Sequence, residues 1–153
     1  MPKTSHKILA VCLGNICRSP IAHGLIEHHA LRLSLNVEVD SAGTIDHHSG
    51  NHPDPRSIAL MNQNNIDISN QRSRIFCRED FKRFDLILAM DKQNLLDLYS
   101  LARNEEEKKK VKLVLGDADV PDPYYGGNDG FENVFNLLDQ SIPNWLELPE
   151  TQH

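Results

Sequence analysis

The chain has 153 residues, 39% of them hydrophobic and 25% charged, with eight glycines and eight prolines. That is the size and balance of one folded domain spanning residues 1–153, and it excludes a disordered or fibrous chain. A net charge of -6, from 16 basic and 22 acidic residues, argues against nucleic-acid binding, which relies on a basic surface to neutralise phosphates.

No apolar run approaches the ~18–20 residues of a membrane helix. The opening Met-Pro-Lys-Thr-Ser-His-Lys leads into an apolar run, residues 8–11, too brief for a signal-peptide core. A cytoplasmic protein without membrane contact is therefore expected. The three cysteines are odd in number, and Cys12 and Cys17 lie close together beside Arg18. This points to thiol chemistry in a reducing compartment rather than to a disulfide scaffold.

Residues 7–12, Lys-Ile-Leu-Ala-Val-Cys, form a short apolar run expected of a parallel strand covered on both faces. After a loop over 13–18, Ser19-Pro20 reads as an N-cap followed by Pro at the first helical position. Ile21, Leu25, Ile26, His29 and Leu33 then follow helical spacing. A second strand is expected over 36–42, with Val37 and Val39 on one face, then a long His/Asp/Gly/Pro-rich loop over 43–55. A helix over about 56–63 and a short helical turn over 78–83 precede a buried strand at 84–90, Phe-Asp-Leu-Ile-Leu-Ala-Met. Asp91 then fits a cap for a helix carrying Leu95, Leu96, Leu98, Tyr99 and Ala102, and the charged run 105–110 is read as a solvated helix end and loop. A fourth strand at 111–115, a Gly/Asp-rich loop at 116–130 and a final helix over 131–142 complete the chain, with Phe131, Val134, Phe135 and Leu138 facing in.

Strands alternating with helices imply a three-layer α/β/α sandwich with a four-stranded parallel sheet. Ligands of such sheets bind at the carboxyl ends of the strands, which gathers the loops after the first, second and fourth strands on one rim.

The first of these loops carries the chemistry. Cys12-Leu-Gly-Asn-Ile-Cys-Arg18-Ser19-Pro20 sets a thiol and a guanidinium six positions apart, at the two ends of a loop that opens into a helix. Such a loop can bend into a cup whose N–H groups, beside the positive end of a helix, receive a phosphate. Arg18 supplies a planar fork matched to two phosphoryl oxygens, and a thiol in that field is favoured as the nucleophilic thiolate. Gly14 permits close backbone approach, Asn15 suits a turn with a positive dihedral, and Ser19 can bond to the sulfur. The segment lacks the second Gly and the Lys of a Walker loop. By itself a Cys-x5-Arg spacing recurs by chance, and Cys12 also fits a small hydrophobe ending a strand.

The wider context is more specific. Residues 11–20, Val-Cys-Leu-Gly-Asn-Ile-Cys-Arg-Ser-Pro, together with Asp40-Ser-Ala-Gly-Thr44, Pro53-Asp-Pro-Arg56 and Pro121-Asp-Pro-Tyr-Tyr-Gly126, resemble the low-molecular-weight protein tyrosine phosphatases, in order and spacing over nearly the whole chain. The resemblance implies a flavodoxin-like, Rossmann-like fold and cofactor-free hydrolysis of phosphotyrosine and small aryl phosphates. Cys12 then forms a phosphocysteine, Arg18 and the loop residues Leu13, Gly14, Asn15, Ile16, Cys17 and Ser19 hold the phosphoryl group, and Asp122 serves as general acid and base. It implies further that His47, Tyr124 and Tyr125 wall the substrate pocket, that Ser41 and Gln71 brace the loop, and that Cys17 can pair reversibly with Cys12.

The sequence departs from the family at His47, where a tryptophan is usual, at Gln71, where a histidine is common, and at His23, where a glutamate is usual. Asp46-His47-His48 with His52 is read as a solvated loop rather than a metal site, and Cys77 as a structural thiol. Two other readings are an arsenate reductase, which requires a thiol pair near residues 75–90, and a non-catalytic phosphate-binding module. A phosphotyrosine protein as partner and a monomer or weakly self-associating state complete the expectations.

Overall fold

The computed structural model describes residues 6–46, 48–124 and 127–146. In chain order the elements are β1 (His6–Cys12), α1 (Arg18–Arg32), β2 (Val37–Gly43), α2 (Pro55–Gln63), α3 (Asp80–Arg83), β3 (Leu86–Ala89), α4 (Lys92–Leu101), α5 (Glu105–Lys109), β4 (Val111–Leu113) and α6 (Asn128–Leu146). The four strands form one sheet in the order β2-β1-β3-β4, and every pairing is parallel. From β1 the chain moves to one side to form β2 and to the other to form β3. The crevice at the carboxyl end of β1 is therefore the topological switch point, where open α/β sheets bind ligands.

The two faces of the sheet follow the twofold alternation of strand side chains. Ile8, Ala10, Cys12, Leu86 and Leu88 face a core made with Ile21, Leu25 and Ile26 of α1, Met61 of α2, and Phe131, Val134 and Leu138 of α6. Leu9, Val11, Ile87 and Ala89 face a second core with Phe76, Phe81 and Leu98. The three layers and the parallel sheet stand as expected. Ile8, Leu9, Ala10 and Val11 are fully buried, and full burial of one large aliphatic side chain is worth ~1.5–3 kcal/mol. A continuous apolar run thus fits only a strand covered on both sides.

Several boundaries differ for physical reasons. α1 starts at Arg18 with Cys17 at its N-cap and no side-chain cap, so Ser19 is not the cap and Pro20 stands third in the helix. That position is still within the first turn, where no intrahelical N–H is needed. Leu33 sits at the C-cap of α1, only partly buried. Leu96 is exposed at 59%, because the α4 face that meets the sheet is carried by Leu98 with Leu95 and Tyr99.

The run 105–110 forms a separate helix, α5, rather than a helix end and loop. Asn104 caps it by accepting from Glu107 N at 2.9 Å, and Glu107 is clamped by Arg103 at 2.8 Å. The strand expected at 84–90 is ordered as a ladder only over Leu86–Ala89, and the one at 111–115 only over Val111–Leu113. α6 extends past Pro143 to Leu146. Burial of Ile142 and Leu146 and a bond from Trp145 Nε1 to Val114 O at 2.8 Å hold the extra turn despite the proline.

Candidate active site

Cys12 ends β1, 3% exposed, and the loop over 13–17 leads from it into α1. The loop is fixed first by backbone. Thr44 N donates to Cys12 O at 3.0 Å, Ile45 N to Leu13 O at 3.1 Å and Asp54 N to Ile16 O at 2.8 Å. The strand after β1 is so close that a Cβ on Gly43 would lie 2.8 Å from Leu13 O. Asn15 takes a left-handed backbone with φ 59°, a conformation that asparagine tolerates better than most residues. Its side chain offsets the cost. Nδ2 donates to Ser19 Oγ at 2.7 Å and to Ser41 Oγ at 3.0 Å, and Oδ1 accepts from Arg74 N at 3.0 Å. Ser19 Oγ stands 3.1 Å from Cys12 Sγ. Ser19, fully buried, is thus committed to the loop, which explains why it does not cap the helix.

Arg18 is 2% exposed. Its Nη1 donates to Asp91 Oδ2 at 2.7 Å and to Val120 O at 2.9 Å, and Nη2 lies 3.7 Å from Asp122 Oδ2. Burial opposes the cation, but Cys12, Asp91 and Asp122 outweigh it and hold the guanidinium pKa above its ordinary value. Asp91 also caps α4, accepting from Asn94 N at 2.7 Å. Asp122 lies in the loop after β4. Its Oδ1 accepts from Tyr124 N at 3.0 Å, while its carboxylate edge stays near Arg18.

Cys12, Arg18, Asp122, Leu13, Gly14, Ile16, Cys17 and Tyr124 line a single pocket of about 150 Å³, together with Ile45 and His48. The amino end of the 15-residue helix α1 opens at this pocket and contributes its positive dipole.

Eight of the residues expected at the site thus line one pocket, with Asn15, Ser19 and Ser41 bonded to one another behind it. His47 and Tyr125 lie outside the described residues. Gln71 departs from the expectation: its Nε2 reaches Pro20 O at 3.2 Å, at the start of α1, and it is His23 Nδ1 that stands 3.2 Å from Ser41 Oγ. Cys17 is buried beside Asp54 Oδ2, at 3.9 Å. Burial pushes its thiol well above the ordinary range, and the charges of Asp54 and Cys12 add to the effect.

Asp54 itself is held by Arg56, through the backbone N and Nε to Oδ1 at 2.9 and 3.0 Å and Nη2 to Oδ2 at 2.9 Å. These bonds outweigh burial and lower its pKa. Arg56 Nη2 also reaches Tyr124 O at 2.9 Å, tying the start of α2 to the acid loop. Asp91, Asp54, Arg56 and Arg74 were given no site role by the sequence. Asp91 was legible only as a cap, and Pro53-Asp-Pro-Arg56 only as a motif; Arg74 carried no signal.

Elsewhere, Cys77 Sγ points to Asp80 Oδ2 at 3.6 Å. Asp46 is bonded by Ser49 Oγ, His48 faces the Tyr124 ring with centroids 6.4 Å apart, and His52 Nδ1 lies 3.4 Å from Ser69 O. Among the described residues no group of three or more His, Cys, Asp or Glu is arranged to hold a metal ion.

Residues 7–152 match the model of the low molecular weight phosphotyrosine protein phosphatase family. The chain belongs to that family. A low molecular weight protein-tyrosine-phosphatase of Streptomyces coelicolor is 38% identical over 152 residues, covering 93% of this chain and 92% of the relative. The low molecular weight phosphotyrosine protein phosphatase of Homo sapiens is 39% identical over 154 residues, covering 95% and 96%. Among solved structures, a protein tyrosine phosphatase from Entamoeba histolytica superposes with a TM-score of 0.88 at 35% identity, covering 93% of this chain and 95% of that one. The fold and the phosphatase family therefore agree with the motifs around Cys12.

Proposed function

We propose that the chain, acting as a single catalytic domain, is a protein tyrosine phosphatase that hydrolyses phosphotyrosine and small aryl phosphates through a phosphocysteine on Cys12. The observation that carries this reading is one pocket lined by the Cys12 thiol, the Arg18 guanidinium and the Asp122 carboxylate. The thiolate attacks phosphorus along the line opposite the phenolic oxygen. As the S–P bond forms and the P–O bond breaks, Asp122 gives its proton to the leaving phenolate. A water then attacks the phosphocysteine, Asp122 takes its proton, and the S–P bond opens to release inorganic phosphate and the thiolate. Arg18, the loop N–H groups and the N-terminus of α1 hold the equatorial oxygens through both steps. The Ser19 hydroxyl donates to the sulfur when it carries charge.

Leu13, Ile16 and Tyr124 give the mouth an apolar wall suited to a phenyl ring, with Tyr125 and His47 assigned to it from sequence alone. An arsenate reductase would pass oxidation from Cys12 to a nearby thiol pair; Cys77 instead faces Asp80 and is outside the pocket lining. A binding module would need neither the thiol nor the acid. The three cysteines are unpaired; a cytoplasmic setting and a monomer or weak self-association remain part of the proposal from sequence. No described helix is long and apolar enough to cross a membrane.

The test is release of phosphate from p-nitrophenyl phosphate in EDTA with a thiol present. Cys12→Ser is expected to abolish turnover while still binding phosphate. Asp122→Ala is expected to lower kcat by ~10²–10⁴, most for poor leaving groups. Absence of turnover in a wild-type protein with reduced Cys12 overturns the reading.

A further inference from the structure

Behind the phosphate loop, the hydrogen-bond chain does not stop at Ser41. Four contacts run in series: Cys12 Sγ to Ser19 Oγ at 3.1 Å, Ser19 Oγ to Asn15 Nδ2 at 2.7 Å, Asn15 Nδ2 to Ser41 Oγ at 3.0 Å, and Ser41 Oγ to His23 Nδ1 at 3.2 Å. His23 is 9% exposed and the other four are 3% or less. Its far nitrogen, Nε2, lies 3.5 Å from Glu27 Oε1 one turn along α1.

Proton directions follow from the donor inventory. Arg74 N donates to Asn15 Oδ1, so the Asn15 amide is oriented with Nδ2 supplying one hydrogen to each serine oxygen. Each serine is left with a single hydrogen of its own. An imidazole protonated only on Nε2, toward Glu27, accepts the Ser41 hydrogen at Nδ1, and the Ser19 hydrogen is directed at the Cys12 sulfur.

We propose that His23 is a positioning residue whose neutral imidazole holds Ser41, and through Asn15 and Ser19 keeps the Cys12 loop in the arrangement that aims a proton at the sulfur. The proposal rests on the nucleophilic role given to Cys12 above. Glu27 is the charged group in contact with the ring. On the elements packed against α1, the nearby charges are already paired: Asp40 of β2 with Arg74, Asp139 of α6 with His29, and Asp54 before α2 with Arg56. Gln71 brings an uncharged amide to Pro20 O.

The test follows alkylation of the intact protein by iodoacetamide, with modification located at Cys12 by fragment-ion mass spectrometry. Wild type is compared with His23→Asn, whose Oδ1 can accept at the Nδ1 position, and with His23→Ala. His23→Asn should stay within about twofold of the wild-type rate, while His23→Ala falls about tenfold, the loss of one hydrogen bond. A His23→Ala rate within about twofold of wild type overturns the proposal, as does an equal loss in both variants. In the wild-type protein alone, imidazole nitrogen shifts should show the proton on Nε2 at alkaline pH; an Nδ1–H tautomer also overturns it. Alkylation needs no turnover, so phosphate release measured on the same samples judges the hydrolase reading separately.

Discussion

Arg18 joins three distant segments at the site. One nitrogen fixes it to Asp91 and to Val120 O, and the other faces Asp122, so the guanidinium orients the acid while presenting a fork to an oxyanion. A lysine keeps the charge but has no planar fork and cannot reach these partners together. Arg18→Lys is expected to lower kcat/KM for p-nitrophenyl phosphate by about 10²–10³ and to weaken inhibition by inorganic phosphate, both read by steady-state kinetics. An Arg18→Lys enzyme within threefold of wild type would show that charge alone suffices. Cys17 illustrates the opposite use of burial. Its thiol is held protonated by burial and by Asp54, so the reversible pairing with Cys12 expected from the sequence requires it first to give up that proton and its bond to Asp54.

At the scale of elements, the site is a meeting of segments whose geometry leaves little slack. The end of β2 touches the phosphate loop through Gly43, where a Cβ would lie 2.8 Å from Leu13 O, 3.0 Å from Gly14 C and 3.1 Å from Asn15 N. All three are backbone atoms, and the same glycine donates to Arg74 O and accepts from Phe76 N, so neither side can yield easily. Gly43→Ala is expected to cost ~1–3 kcal/mol of stability, the usual range for overpacking. It should also lower kcat/KM by more than tenfold, because the displaced atoms are those of the phosphate cup; urea unfolding and kinetics on one preparation check both.

α2 and the acid loop are joined differently, through Arg56, whose guanidinium bonds to Asp54 and Tyr124 O and stacks 4.5 Å over the Phe131 ring. Arg56→Ala should free the loop that carries Asp122. The expected result is a kcat about tenfold lower, within the share of a positioned proton transfer, and a steeper dependence on leaving-group pKa across a series of aryl phosphates. A uniform loss across the series would show that Arg56 does not act through the acid.

For the whole molecule, acid stability is expected to reflect Asp54. Its folded pKa is lowered by Arg56, so its stabilisation is present above the ordinary carboxylate pKa near ~3.9 and is lost as pH falls through the depressed value. Asp54→Asn keeps a capping side chain for α2 but not the charge. It should cost about 1–2 kcal/mol at neutral pH, and the difference from wild type should shrink below about pH 4; denaturant melts at several pH values measure it. A difference that does not vary with pH would place the loss in packing instead.

The order of elements was legible because it is written in contiguous residues: apolar runs at 8–11 and 86–89 and helical spacing from Ile21 to His29 each report on their own segment. The cup around Cys12 was legible for the same reason, its thiol, turn residues and guanidinium lying within one short stretch. Boundaries were set elsewhere. Ser19 left its capping role because Asn15 and Cys12 engage it, and α6 passed Pro143 because Val114 and the core receive Trp145 and Leu146. What only the tertiary structure decided is which distant groups complete the site: Asp91 and Val120 meet Arg18 across 73 and 102 residues of sequence, and His23 rather than Gln71 reaches Ser41. Such contacts are created by the strand order and the packing of α1 on the sheet. A local sequence pattern carries hydrophobic period and turn chemistry, but not the direction in which a buried polar side chain finds its partner.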